Sequence, residues 1–572
     1  MTNKRRPIQP GERVDQAAPA TVSLTRRGFV RGAGVTGLAA ATTPIALFAG
    51  DAKPAPADGT PEQIHLTWGD DPSSTIFVSW ASAAQAVNPR VRIGHSPTAQ
   101  HTVHAVQRTY TDGLSGETIF TYHARIEGLQ PGANFHYSVT ADNDRNRAQP
   151  FSAMFQTAPR GRVPFRWTSY GDLATPVTSW VLSSPQSRHA VEAVERFQPL
   201  FHLLNGDLCY ANLNPATQPA VWSDFANNVQ ASAAFRPWMP CPGNHEIEFH
   251  NGAQGFNSYL TRYSLPHNGT PFHGLWYHFK VGSAFFISLS ADDVIYQDSG
   301  AFVAGPAPLQ PAPSTGNASI APGSSLYIHG YSNGAQTRWL ESTLAAASKD
   351  EAIDWIIVQM HQDALSSSKN GNGSDKGIRE TWLPLFDRYG VDLVLCGHDH
   401  DYERSWPVRG CNHDVGRDAA TGMTVDTCQP NPVVTAEPAD GTFNTSHGTI
   451  HFILGGGGTS APLDAYGISS SNGQPEAKVI TKANPPVPGA TSGTFTKHGA
   501  DALEDAIWSA RRDTVTGYGI GVFDLDPGVP GGRTSITLSY YHAPGADEAP
   551  TSHYELFETV VLAKERRDNR RS

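Results

Sequence analysis

At 572 residues the chain exceeds what one hydrophobic core organises, so two or three domains are expected. Its formal net charge of −11 excludes attachment to nucleic acid or to an anionic membrane by charge alone. Five cysteines with no C-x-x-C pair exclude a zinc-ribbon type of site.

Taken in chain order, the first signal is LTRRGFVRG at 24–32, where Arg26 and Arg27 are followed by Phe29 and then by a mild Ala/Gly/Thr stretch over 33–49. This is the twin-arginine pattern of bacterial export, so residues 1–50 read as a signal peptide cleaved near 49–52. It implies a bacterial source, the twin-arginine export machinery as a partner, and a secreted or cell-envelope location. The apolar part is too short and weak for a stable membrane anchor, and no other stretch is suited to span a bilayer. Removing residues 1–50 takes away seven basic and two acidic side chains, moving the charge from −11 to −16. Residues 51–60 read as a linker. Alternation in TIFVSW (75–80) and NFHYSV (134–139) then marks an all-β sandwich over 61–160, closed by a Pro-rich joint at 158–164.

The next region, 165–545, carries five short polar motifs, each ending an apolar run. They are WTSYGDLA (Asp172), FHLLNGDLCY (Asp207, Tyr210), WMPCPGNHE (Asn244, His245), WIIVQMH (His361) and LVLCGHDH (His398, His400). Runs such as 201–204, 354–361 and 392–396 are rich in Val, Ile, Leu and aromatics, as strands covered on both faces are. Between them, 186–197 and 379–389 have a helical apolar stripe. Asp172 and Asp207 are 35 residues apart and Asp207 and Asn244 are 37 apart, the size of a strand–helix–strand crossover. Such units put loops at the carboxyl ends of parallel strands, so the five motifs are expected along one edge of one sheet. Each ligand alone has a bland reading as a helix cap or a rim histidine. Together they offer oxygen and nitrogen donors suited to two adjacent hard or borderline cations.

The series GDL…GDLCY…GNHE…VQMH…GHDHDYERS resembles the metallophosphoesterases, and Tyr210 three residues after Asp207 points to the purple acid phosphatases among them. Residues 61–159 resemble that family's fibronectin III-like N-terminal domain, and 517–543 its closing strands. The resemblance implies an α/β fold, a two-sheet α/β sandwich catalytic domain preceded by an all-β fibronectin-like sandwich. It further implies Fe(III) held by Asp172, Asp207, Tyr210 and His400, and Fe(II), Zn or Mn held by Asp207, Asn244, His361 and His398. A tyrosinate and carboxylates suit a trivalent iron, imidazoles and an amide a divalent partner. The expected activity is hydrolysis of phosphate monoesters, small-molecule substrates, by attack of a metal-activated hydroxide, with His245 contacting phosphate or protonating the leaving oxygen. The alternatives are a phosphodiesterase acting on nucleotide or lipid head-group diesters, and a non-catalytic phosphate or cell-wall binding protein.

Two departures from the family pattern stand out. Ala174 replaces a glycine, which costs little if the backbone there avoids positive φ. Asn370 and Gly371 stand where the family often has histidines, so SSSKNGNGSDKG (366–377) reads as an altered substrate-facing rim. GGGG (455–458) lacks a P-loop Lys-Ser/Thr and reads as close backbone packing near the site. DYER (401–404) reads as an anchor for the loop after the metal histidines. Cys209, Cys241 and Cys396 read as buried free thiols, and Cys411 and Cys428 as a disulfide formed after export. Residues 301–325, 408–447 and 459–498 read as long loops or flexible insertions. The region 546–572 reads as a strand followed by a solvated basic tail, KERRDNRR.

Overall fold

The computed structural model describes residues 58–569 except 99, 249, 253, 298–300, 304–324, 328, 370, 462–474, 484–498 and 544–553. The expected signal peptide and nearly all of the linker lie outside the described residues, as do most of the 301–325 and 459–498 insertions.

The N-terminal part is a sandwich of two four-stranded antiparallel sheets. One runs in the order Glu62–Trp68, Ile76–Ser82, Thr118–Ile126, Val106–Thr111, and the other His101–His104, Arg90–Gly94, Asn134–Thr140, Phe151–Gln156. Alternation along these strands turns Trp68, Trp80, Tyr122, Phe135 and Tyr137 inward. Hydrogen bonds tie the sandwich to the α/β region: Tyr137 donates to the Ala234 carbonyl at 2.7 Å, and Thr67 to that of Ser264 at 2.5 Å.

Two seven-stranded sheets build the α/β region. The first contains Trp238–Cys241, Phe201–Asn205 and Phe165–Tyr170, mutually parallel, then the antiparallel Gly519–Asp526, Arg533–His542 and Glu555–Glu565, with Thr442–Phe443 at its edge. The second has a parallel core of Ala284–Ser288, Trp355–Gln359, Leu393–Cys396 and Ile450–Leu454. Aromatic rings join their inner faces: Phe201 meets Phe286 at 5.2 Å and Trp167 meets Phe286 at 5.4 Å between centroids. Gln359 crosses between the sheets to donate to the Leu204 carbonyl at 2.9 Å, and Asn205 donates to that of Cys396 at 3.1 Å.

The five motifs therefore do not share one sheet. Those of Asp172, Asp207 and Asn244 end strands of the first, and those of His361, His398 and His400 end strands of the second. Crossover spacing shows which strands are linked in sequence, not which sheet each joins, and the chain changes sheets between Asn244 and His361. The helix Gln186–Phe197 has the expected bounds. The expected single helix over 379–389 is two helices, Lys376–Thr381 and Leu383–Tyr389, separated at Trp382 with φ −113°. Pro384 has no N–H to give back to residue 380, and it disfavours helical geometry in the residue before it.

Two further expectations are corrected. Much of 408–447 is paired structure: Val408–Asn412 pairs with Gln429–Pro432, and Gly416–Arg417 and Thr424–Val425 join a five-stranded sheet with Glu476–Lys482 and Ala500–Asp505. Its strands are too short for an alternating pattern to show. The basic residues described in the tail, Lys564, Arg566 and Arg567, are buried rather than solvated. Lys564 is buried with both Asp392 oxygens at 2.6 Å, and Arg567 donates to the Ala347 carbonyl at 2.9 Å. Those partners lie far back in the chain and leave no trace in the local sequence.

Candidate metal centre

At the carboxyl ends of the parallel strands the chain turns sharply, and four of the seven expected ligands sit in left-handed backbone conformations. These are Asp172 (φ 59°), Asp207 (φ 49°), Tyr210 (φ 58°) and His398 (φ 68°). Each such residue costs about 1–2 kcal/mol, so neighbouring bonds must hold it there. For Asp172 they come from the glycine run. Its carbonyl accepts from Gly458 N–H at 2.9 Å and from Thr459 N–H at 3.2 Å, and its own N–H donates to the Gly206 carbonyl. A Cβ at Gly458 would stand 1.8 Å from the Leu173 carbonyl oxygen, so only glycine permits this approach. The expected close backbone packing is thus a clamp on Asp172. Ala174 does occupy positive φ, at 58°, so its place in the turn is strained.

The side chains form two adjoining groups. In one, His361 Nε2 is 3.0 Å from Asp207 Oδ2 and 3.2 Å from His398 Nδ1. The ligand atoms of these three residues lie within 4.8 Å of one another, and all three are buried. Asn244 follows Gly243, where a Cβ would meet Asp207 Oδ1 at 2.4 Å and His361 Cδ2 at 2.7 Å. In the other, the Tyr210 hydroxyl is 3.0 Å from Asp172 Oδ1 and 3.3 Å from His400 Nε2, which is itself 3.4 Å from Asp172 Oδ1. The His398 N–H donates to Asp172 Oδ2 at 2.9 Å and joins the two groups. His245 packs tilted against the Tyr210 ring, at 4.6 Å between centroids and 55° between planes, its Nε2 3.9 Å from Asp207 Oδ2. His245 and His400 keep 21% and 20% side-chain exposure while His361 has none, so the centre opens to solvent on the His245/His400 side.

Electrostatics show what the donor set prefers. Burial works against ionised Asp207, yet the charges of His361 and His245 overcome it and hold this carboxylate well below its usual range. Burial also works against protonated His361, but Asp207 and Asp172 push it up to about 10. A proton thus sits where two carboxylates call for positive charge. Burial, then Asp172 and Asp207, push the Tyr210 hydroxyl far up, so it keeps the proton that it shares with Asp172 Oδ1. The Asn244 Oδ1 atom is buried without a hydrogen-bond partner, an acceptor that a cation would satisfy. Three potential anions, three imidazoles and one orphaned amide oxygen fit two cations.

Residues without an assigned role in the sequence hold these ligands. Glu246 is fully buried and accepts from the backbone N–H groups of Asp207 (2.9 Å), Leu208 (2.8 Å) and Gly243 (2.8 Å), fixing two ligand loops to each other. It stands three residues after Gly243 at the start of a helical turn and reaches back to the Gly243 N–H, half of a capping box that glycine, having no side chain, does not complete. The Asn205 carbonyl takes a bond from His361 Nδ1 at 2.7 Å, which turns Nε2 toward Asp207. Asn212 Oδ1 lies 2.8 Å from His245 Nδ1. Neither contact has a local sequence signature.

Asn370, on which the reading of an altered substrate-facing rim turns, lies outside the described residues, and Gly371 beside it is half-buried. Ser366, Ser367, Ser368 and Ser374 are buried, and they bond Asp399, Glu403 and one another. Arg404 is buried against Glu558 and Glu437, in keeping with an anchoring role for DYER. Cys209, Cys241 and Cys396 are free and buried, and Cys411 is bonded to Cys428 with Cα atoms 5.1 Å apart.

Comparison with known proteins gives this geometry a family. Residues 61–158 match the purple acid phosphatase N-terminal domain, and residues 183–402 match the calcineurin-like phosphoesterases. An uncharacterized protein of Mycobacterium tuberculosis is 39% identical over 516 residues, covering 88% of this chain and 87% of its own length. The Fe(3+)-Zn(2+) purple acid phosphatase 12 of Arabidopsis thaliana is 24% identical over 415 residues, 71% of this chain and 74% of that one. Among solved structures, the yellow lupin purple acid phosphatase PPD1 shares the fold with a TM-score of 0.59 at 18% identity, over 89% of this chain and 76% of that chain. The chain belongs to the purple acid phosphatase family of calcineurin-like, metal-dependent phosphoesterases.

Proposed function

We propose that this protein hydrolyses phosphate monoesters at a two-cation centre in which Asp207 is shared. Asp172, Tyr210 and His400 complete a ferric site, and Asn244, His361 and His398 a site for Fe(II), Zn or Mn. The observation that supports it is the meeting of the two ligand groups, from two different sheets, around a buried Asp207. Cations bound there would draw in the phosphoryl oxygens and acidify a water. The chain's own residues do the rest. Asn205 holds His361 in the tautomer whose Nε2 faces Asp207. His245, with Nδ1 2.8 Å from Asn212 Oδ1 and Nε2 3.9 Å from Asp207 Oδ2, stands at the open side of the centre, placed to give a proton to the departing oxygen. The Tyr210 proton has to leave before its oxygen binds a cation, which calls for a strongly acidic ion and supports ferric iron.

The twin-arginine motif at Arg26 and Arg27 supports action outside the cytoplasm of a bacterium, in secreted or cell-envelope form. The deciding experiment is the initial-rate ratio of the metal-replete protein on a nitrophenyl phosphate monoester against the matching diester. A ratio well above one is expected. A ratio below one makes the protein a phosphodiesterase, and no turnover on either favours a binding protein. Visible absorbance that disappears in Tyr210→Phe identifies the tyrosinate–iron pair, and colour that persists removes Tyr210 from that role.

A further inference from the structure

In the serine- and glycine-rich segment after His361, Ser366, Asn372 and Gly373 turn polar groups onto the turn that carries His398 and His400. Asn372 Nδ2 donates to the His398 carbonyl at 2.6 Å, and Gln297 Nε2 donates to Asn372 Oδ1 at 3.0 Å, which fixes the amide's orientation. Asp399, between His398 and His400, accepts from the N–H groups of Asn372 at 3.2 Å and Gly373 at 3.1 Å, and from the Ser366 hydroxyl. The segment is anchored on the strand Glu476–Lys482. Lys478 N–H donates to the Ser368 carbonyl at 2.7 Å, Lys478 Nζ reaches the Gly371 carbonyl, and a Cβ at Gly373 would meet the Lys478 carbonyl oxygen at 2.7 Å.

His398 needs such support. Its backbone is left-handed, at φ 68°, and both of its main-chain polar groups are taken by side chains: the N–H by Asp172, the carbonyl by Asn372. We propose that Ser366, Asn372 and Gly373 form a positioning strap for the 398–400 turn, holding it at the His398 carbonyl and at Asp399, and that this strap sets the affinity of the cation site built on His398. Asn372 and Asp399 touch no substrate in this role. They fix where His398 Nδ1 points, as outer-shell partners of metal histidines do. The proposal rests on the assignment of His361 and His398 as ligands of one cation.

The test titrates the chelator-stripped full-length chain with zinc alone, in competition with a chromophoric chelator. The wild-type chain should show two binding steps. Asn372→Leu keeps the side chain's bulk but cannot donate to the His398 carbonyl, and should weaken one step about 10–100-fold while leaving the other within about twofold. His361→Ala should abolish that same step, and adding Asn372→Leu to it should cost nothing more. Should Asn372→Leu fail to fold, Ser366→Ala, which removes one donor to Asp399, should weaken the same step several-fold. Two unchanged zinc steps in these variants, or equal weakening of both, would overturn the strap and leave the ligand reading standing. A wild-type chain with no zinc step would overturn both.

Discussion

Replacing Glu246 with glutamine probes how one buried carboxyl holds two ligand loops. Its Oε2 accepts from the Asp207 and Gly243 amides and its Oε1 from that of Leu208, at 2.8–2.9 Å. A carboxyl offers an acceptor on both oxygens, whereas a carboxamide places two N–H donors on one end. In Glu246→Gln the amide oxygen can keep the pair at Asp207 and Gly243. Its NH2 group must then face the Leu208 N–H, leaving that donor buried and unmet. Such a loss costs about 1–3 kcal/mol, which corresponds to roughly 5- to 150-fold easier local opening. Hydrogen exchange of the metal-loaded and stripped protein, read at the Asp207, Leu208 and Gly243 amides, measures this directly. Leu208 should lose protection by about that factor, and Asp207 and Gly243 by less. Unchanged protection at Leu208 in both forms would refute the reasoning, and so would equal losses at all three amides.

Three further outcomes are expected from the structure. Ala174→Gly should stabilise the protein by about 1 kcal/mol, since glycine holds φ 58° without strain; a lower thermal midpoint would contradict this. Lys564→Met should cost about 3–5 kcal/mol by leaving Asp392 buried without its cation. Pairing it with Asp392→Asn should restore much of the loss in the same denaturation assay. Burial pushes Asp375 up to about 6, although the N–H groups of Gln297, Tyr296 and Gly377 pull the other way. As pH rises from about 4 through about 6, the unfolded chain gives up this proton before the folded one does. Stability therefore falls by about 3 kcal/mol over that window and is flat on either side. Asp375→Asn should remove this slope, and an unchanged stability–pH curve would refute the assignment.

Legibility in the sequence depended on range. The strand-end motifs were readable because a buried parallel strand is a short apolar run and its ligand comes within a few residues of the last apolar position. The first helix was readable because its stripe has a clean period, whereas 379–389 hid a break at Trp382 that only the effect of Pro384 explains. The roles of Glu246 and of the Asn205 carbonyl on His361 were not readable, since Gly243 has no side chain to complete a capping box and any residue supplies a carbonyl.

By itself, then, the sequence determined which residue types meet at the centre, the β sandwich ahead of it and the family, because these depend on local periodicity and on chemistry carried by particular side chains. Only the tertiary structure decided that the candidate ligands come from two sheets, that Ser366 faces inward to Asp399, that Ala174 is strained, and that Lys564 and Arg567 are buried against Asp392 and Asp354. Each of these depends on a partner distant in sequence. Burial of a charge or a strained turn is stabilised by what the fold brings to it, and local pattern carries no record of that.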